Sequence, residues 1–258
     1  ILGGGIGRYP GNPLRATAAT LELTQSSAGP SFLALSGDTI WQGGTLADGT
    51  HLEWTQESGS LTVAGSLSWG NGSVEIRNAG GAVVLAANAA VTATGRVQLV
   101  GDSLTMGAGS QLEAGTKGLV IATFGNVAMA ADARLRSQGN FRLRTRGDAA
   151  LASTEATGEL LLDVQGDLTR TATEEDKRLA APVARIRVEG DLGTGEDPIK
   201  TATDRLDLDA GGDTELSESD SLVVGRYGVV VNSSTGDSAR ILLEDTGATS
   251  EIGSSGGG

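Results

Sequence analysis

Leu119-Val-Ile-Ala-Thr-Phe-Gly125-Asn-Val-Ala-Met129 is followed by Phe141-Arg-Leu-Arg-Thr-Arg-Gly147-Asp-Ala-Ala-Leu151. The two runs are copies of one unit. Apolar residues stand six and four places before the glycine and again two and four places after it, the period-two signature of strands with one buried face. The same frame carries Leu160 and Leu162 before Gly166, Ala184 and Ile186 before Gly190, and Leu206 and Leu208 before Gly212. After these glycines come Leu168, Leu192, and Thr214 with Leu216. Followed outward, the marker glycines are Gly59, Gly81, Gly101, Gly125, Gly147, Gly166, Gly190, Gly212 and Gly236, in steps of 19 to 24 residues. A unit this short cannot bury its own apolar face, so it has to stack on its neighbours.

Every unit keeps the same strand order instead of reversing it through tight hairpins, so the stacking is expected to be parallel. The crossover rule, extended from helical connections, gives it a right hand. The fold class is therefore all-β, a right-handed parallel β-helix of about ten coils of roughly 22 residues, with two or three short strands per coil. Glycine between two strands is expected to serve a bend with unusual backbone dihedrals. One β-helical domain is read over 1–258, with irregular coils in 1–100 and regular coils in 101–244. In the irregular part Leu52 and Trp54 precede Gly59, Val74 and Ile76 precede Gly81, and Val97 and Leu99 precede Gly101. A charged protruding loop is expected at 170–182, with Thr173 and Asp176 placed as a capping box around one helical turn. A flexible tail is expected at 245–258, and the opening at Ile1 and the glycine-rich close read as those of a piece of something longer or processed.

Composition narrows the chemistry. With 40 glycines and 3% aromatic residues in 258, the interior has to be a narrow channel of stacked Leu, Val, Ile and Ala. There is no cysteine, which excludes disulfides, a thiolate nucleophile and cysteine-based zinc sites. His51 is the one histidine, so a serine-type triad would depend on it and a multi-histidine metal site within one chain is excluded. A net charge of −13 opposes nucleic acid and anionic membrane surfaces as partners. No apolar run approaches the roughly 20 residues of a membrane span, so no membrane insertion is expected, and no signal peptide is recognised.

Three residues before the corner glycine stand Arg144, Asp163, Arg187 and Asp209 in four successive coils. Stacked in register they form a ladder of alternating charge, which favours stability and fixes register. Acidic residues gather at Asp204, Asp207, Asp209, Asp213, Glu215, Glu218 and Asp220. Asp207, Asp209 and Asp213 are weak candidates for Ca²⁺, the only cofactor considered, because that ion takes six to eight oxygen ligands. Asp163 with Asp167, or Asp207 with Asp209, are the pairs a glycosidase would need, and Arg142, Arg144, Arg185 and Arg187 suit uronates. No coil stands out among them, so no catalytic residue is assigned. Trp41, Trp54 and Trp69 are candidates for sugar stacking, core filling or an end plug. Arg146-Gly147-Asp148 spells an integrin-type triplet, but Gly-Asp recurs seven times, mostly on the repeat corner, where Asp accepts backbone hydrogen bonds. The sequons at Asn71 and Asn232 read as turns, and the opening glycines lack what a phosphate loop needs.

A longer self-similarity runs at an offset of 185, aligning Gly11-Asn-Pro-Leu-Arg15 and Leu21-Glu-Leu23 with Glu196-Asp-Pro-Ile-Lys200 and Leu206-Asp-Leu208. The run from Gly190 to Asp213, followed by Glu218-Ser-Asp-Ser-Leu-Val-Val-Gly225, resembles the repeat unit of very large secreted bacterial exoproteins of the filamentous haemagglutinin type. The resemblance implies a surface adhesin built as a long right-handed β-helix, and it carries no functional residue over. The expected function is a structural or adhesive shaft, extracellular or on the bacterial cell surface, possessing no enzymatic activity. Its partners would be a surface receptor, a glycan or other copies of itself, including fibres joined through open strand edges. The alternative is a carbohydrate-active β-helix, either a lyase or hydrolase or a glycan-binding module.

Overall fold

The computed structural model describes residues 7, 10–78, 80–171, 178–194, 196–218, 223–231 and 239–243. The capping box at Thr173 and Asp176, with residues 172–177 of the 170–182 loop, the tail at 245–258, Asp220, Asn232 and Gly236 lie outside the described residues. Within them the chain is a parallel β-solenoid without helix. One sheet of eleven strands forms the first face, from Leu14–Thr17 and Pro30–Ser36 through His51–Gln56, Ser73–Asn78, Val97–Gly101, Leu119–Thr123, Phe141–Thr145, Glu159–Val164, Val183–Val188 and Arg205–Ala210 to Val223–Val231. Every neighbouring pair is parallel.

The remaining strands belong to a second sheet that is split into two columns along most of the solenoid. Thr39–Leu46 spans both columns: its first half pairs with Leu61–Val63 and its second with Ser66–Trp69. The second column continues through Ala82–Leu85, Ser103–Met106, Val127–Met129, Ala149–Leu151 and Leu168–Arg170, then by single bridges to Leu192 and Thr214. The third runs through Ala90–Ala93, Gln111–Ala114, Arg134–Ser137, Ser153–Ala156, Leu179–Ala180 and Ile199–Ala202, where Thr214–Glu218 rejoins the two. A complete coil therefore has three strands. The expected all-β architecture, parallel order, coil length and approximate coil number are met.

Alternation decides what faces the channel. Trp54, Ile76, Leu99, Ile121, Leu143, Leu162, Ile186 and Leu208 stand opposite one another in successive strands and are all buried. Leu67, Val91, Leu112 and Leu135 do the same in the third column, which the glycine frame did not locate. Each buried aliphatic side chain contributes about 1.5–3 kcal/mol through apolar surface removed from water. Trp41 and Trp54 fill the channel in the early coils, with ring centroids 4.6 Å apart. Their indole N–H groups donate to the Gly43 carbonyl and to Gln56 Oε1, both at 3.1 Å, so no polar atom of either ring is stranded.

The corner glycines correct one expectation. Of the marker glycines described, only Gly59 has a positive φ, at 77°. A Cβ on Gly147 would lie 2.0 Å from Asn126 Oδ1, and on Gly166, Gly190 and Gly212 it would lie 2.1 Å from Asp148, Asp167 and Asp191 Oδ1 respectively. The missing side chain makes room for the carboxylate or amide of the coil before. That oxygen in turn accepts the backbone N–H of the residue after the glycine: Asp148 donates to Asn126, Asp167 to Asp148, Asp191 to Asp167 and Asp213 to Asp191, at 2.9–3.1 Å. Glycine is needed for close approach, and the aspartate for a bond between coils.

The offset of 185 also acquires a different meaning. Gly7 and Gly193 share a left-handed φ of 68° and 71°, and at both a Cβ would crowd the backbone N of Leu14 or Ile199 and a carbonyl of the next coil. The two copies share this local turn. They occupy different faces, however, because Leu14–Thr17 lies in the first sheet while Ile199–Ala202 lies in the third column.

Candidate functional site: the charged outer faces

On the first face, residues at the outward positions of successive strands line up in straight rows. Register places Arg144 opposite Asp163, Asp163 opposite Arg187, and Arg187 opposite Asp209. Arg144 Nε lies 3.3 Å from Asp163 Oδ2, and Arg187 Nε 3.8 Å from Asp209 Oδ2. In a parallel row Arg185 stands between Leu161 and Asp207, its Nε 3.7 Å from Asp207 Oδ2 and, diagonally, 2.9 Å from Glu159 Oε1. The third column carries a row that sequence inspection missed: Glu113, Arg136 and Glu155 stand in register, with Arg136 Nε 3.6 Å from Glu155 Oε2. Exposed pairs of this kind contribute about 0–1 kcal/mol each. Their sign pattern disfavours a slip by one coil.

The calcium candidates divide between two places. Asp207 and Asp209 share a strand, but Asp207 is only 5% exposed and held near Arg185 and Arg205, whereas Asp209 is exposed beside Arg187. Asp213 sits on the corner, where its N–H meets Asp191. Among the described residues, the one group of three potential ligand atoms lying within 4.8 Å of one another is His51, Glu53 and Glu75.

The carboxylates nominated as acid pairs each have a structural partner. Asp163 faces Arg144, Asp167 Oδ1 accepts the Asp191 N–H, and Asp207 and Asp209 face arginines. Trp41 and Trp54 are fully buried and so closed to a sugar ring. The exposed aromatic on the first face is Phe124, 56% exposed, with the Arg146 guanidinium 5.2 Å from its ring centroid. That contact and the Asp148 corner bond use the outer two members of the Arg-Gly-Asp triplet, and Gly147 is fixed by Asn126.

Around Phe124 the first face changes character. Two open grooves indent it, one of about 170 Å³ lined by Val100, Ala122, Phe124, Arg144 and Arg146, the other of about 230 Å³ lined by Arg96, Lys117, Asn140, Arg142 and Glu159. Five cationic side chains thus collect over three coils of a chain whose net charge is −13. Arg96 and Lys117 escaped the sequence pattern because they lie in corner segments outside the alternating strands.

No helix among the described residues is long and apolar enough to cross a membrane. No protein-family profile matches the chain, and neither a curated protein nor a solved structure does.

Proposed function

We propose that the chain is a structural and adhesive shaft segment of a secreted or cell-surface bacterial exoprotein, of the kind exemplified by the filamentous haemagglutinin type. One observation carries this reading. Parallel pairing continues from Leu14 to Val231 on one face, with a register shift only after Leu206, and charged residues of that face are used in pairs that join one coil to the next. A shaft works by length and repeated weak contact, with no bond made or broken, and no residue has a catalytic role in it. A surface receptor, a glycan or further copies of the chain are the partners such a rod serves. Copies joined through strand edges would extend such a rod into fibres.

The decisive experiment pairs small-angle scattering with adhesion of the purified chain to immobilised host and bacterial surfaces. An elongated particle that binds without altering its target supports the shaft. A second reading, a glycan-binding or glycan-cleaving module, is favoured by the cationic grooves beside Phe124. Release of reducing ends or unsaturated uronates from acidic polysaccharides, lost in Asp163→Asn or Asp207→Asn, would replace the shaft with that reading.

A further inference from the structure

Glu53 and Glu75 stand directly opposite each other on the outward side of the first face. Elsewhere among the described strand pairs, charged residues in register face an opposite charge or a neutral residue, as Arg144 faces Asp163 and Arg185 faces Asp207. Like charges directly opposed cost stability; Arg77 pairs with Glu75 and offsets part of that cost, which leaves Glu53 as the carboxylate a bound cation would serve. His51 lies two residues before Glu53 and therefore on the same side of the strand. The three ligand atoms lie within 4.8 Å of one another, and all three residues are at least partly accessible.

Glu75 is oriented from behind. Its Oε1 accepts Gln98 Nε2 at 3.3 Å and pairs with Arg77, which leaves Oε2 for a metal. Outer partners of this sort fix ligand carboxylates in metal sites. Among the described residues Glu53 has no cationic side chain within ion-pair distance. We propose that His51, Glu53 and Glu75 form a binding site for a divalent first-row transition metal, Zn²⁺ being the probe of choice. One imidazole and two carboxylates suit such an ion better than Ca²⁺ or Mg²⁺, which prefer all-oxygen shells. Metal–ligand bonds of about 2.1 Å require ligand atoms some 3.4 Å apart in a tetrahedron, a closure that rotation of the partly exposed side chains supplies. Water completes the shell. The metal would clamp strand His51–Gln56, which carries the buried Trp54, to Ser73–Asn78.

The site is independent of what the shaft adheres to. Its test is calorimetric titration of ZnCl₂ into the EDTA-treated full chain, with thermal unfolding in parallel. The expected result is one equivalent bound and a raised unfolding temperature that EDTA reverses. His51→Ala and Glu75→Gln should each weaken binding by more than about tenfold, whereas Asp209→Asn should leave it unchanged. Glu53→Gln gives a readout that a purely structural role would not: it should stabilise the metal-free chain while abolishing the gain from Zn²⁺. Absence of binding, or binding of equal affinity in His51→Ala, overturns the site, since no other histidine and no cysteine is present.

Discussion

Replacing Gly190 by alanine tests the corner geometry directly. The new Cβ would lie 2.1 Å from Asp167 Oδ1, 2.9 Å from the Gly166 carbonyl oxygen and 3.0 Å from its carbon. Asp167 must then withdraw and release the Asp191 N–H that it accepts at 2.9 Å. At an exposed corner, losing such a bond costs about 1 kcal/mol. Residual crowding against the Gly166 backbone costs about 1–3 kcal/mol more, by analogy with overpacked cores. Alanine restricts the unfolded chain and returns about 0.4–1 kcal/mol. Gly190→Ala is therefore expected to destabilise by about 1–3.5 kcal/mol and Asp167→Ala by about 1 kcal/mol.

The double variant separates this account from a dihedral one. Once Asp167→Ala has removed the oxygen, Gly190→Ala has only the backbone crowding left to overcome, so the two costs should fall short of additivity by about 1 kcal/mol. Urea unfolding followed by circular dichroism supplies the cycle, and hydrogen exchange at the Asp191 amide reports the local bond. Additivity within about 0.3 kcal/mol, or a Gly190→Ala variant as stable as the parent, would refute the claim that glycine is there to admit a carboxylate.

Asp167→Asn keeps the acceptor oxygen and removes a charge stacked between Asp148 and Asp191; it should be neutral or stabilising by a few tenths of a kcal/mol at low salt, a gain that disappears near 1 M salt. Asn126, which already fills this role for Asp148, is the natural precedent. Leu143→Ala empties a fully buried position between Ile121 and Leu162 and should cost about 2–5 kcal/mol in the same urea assay. Arg144→Ala, by contrast, should change stability by less than about 1 kcal/mol, because its partner Asp163 is reached across an exposed rung. If it proved as damaging as Leu143→Ala, the outer rows would be holding the fold together.

Periodicity made the first two strands of each coil legible, since Leu143 and Ala149 sit at constant distance from a glycine that the fold cannot replace. The third column was hidden because the stretch before it varies in length: Leu112, Leu135 and Thr154 keep register with one another but lie 11, 10 and 7 residues after Gly101, Gly125 and Gly147. The glycines themselves were visible and their purpose was not. A bend and a close approach produce the same letter in the sequence, and only the position of Asp167 Oδ1 against Gly190 distinguishes them. The self-similarity at 185 misled for a related reason, since a turn shared by Gly7 and Gly193 is local while the face it serves depends on the coils around it. The His51 cluster escaped notice because Glu53 and Glu75 are neighbours only through register.

Two columns of like charge thus behave differently for a physical reason. On the corner, Asp148, Asp167 and Asp191 stack with the same sign, yet each offers an oxygen to a backbone N–H of the next coil, so a partial positive charge separates every pair. Between Glu53 and Glu75 no backbone donor can intervene, because strand N–H groups lie in the plane of the sheet and the side chains stand perpendicular to it. Repulsion at the corner is met by the chain itself. At the Glu53 rung Arg77 pairs with Glu75 but not with Glu53, and the only imidazole in the sequence stands beside that second carboxylate.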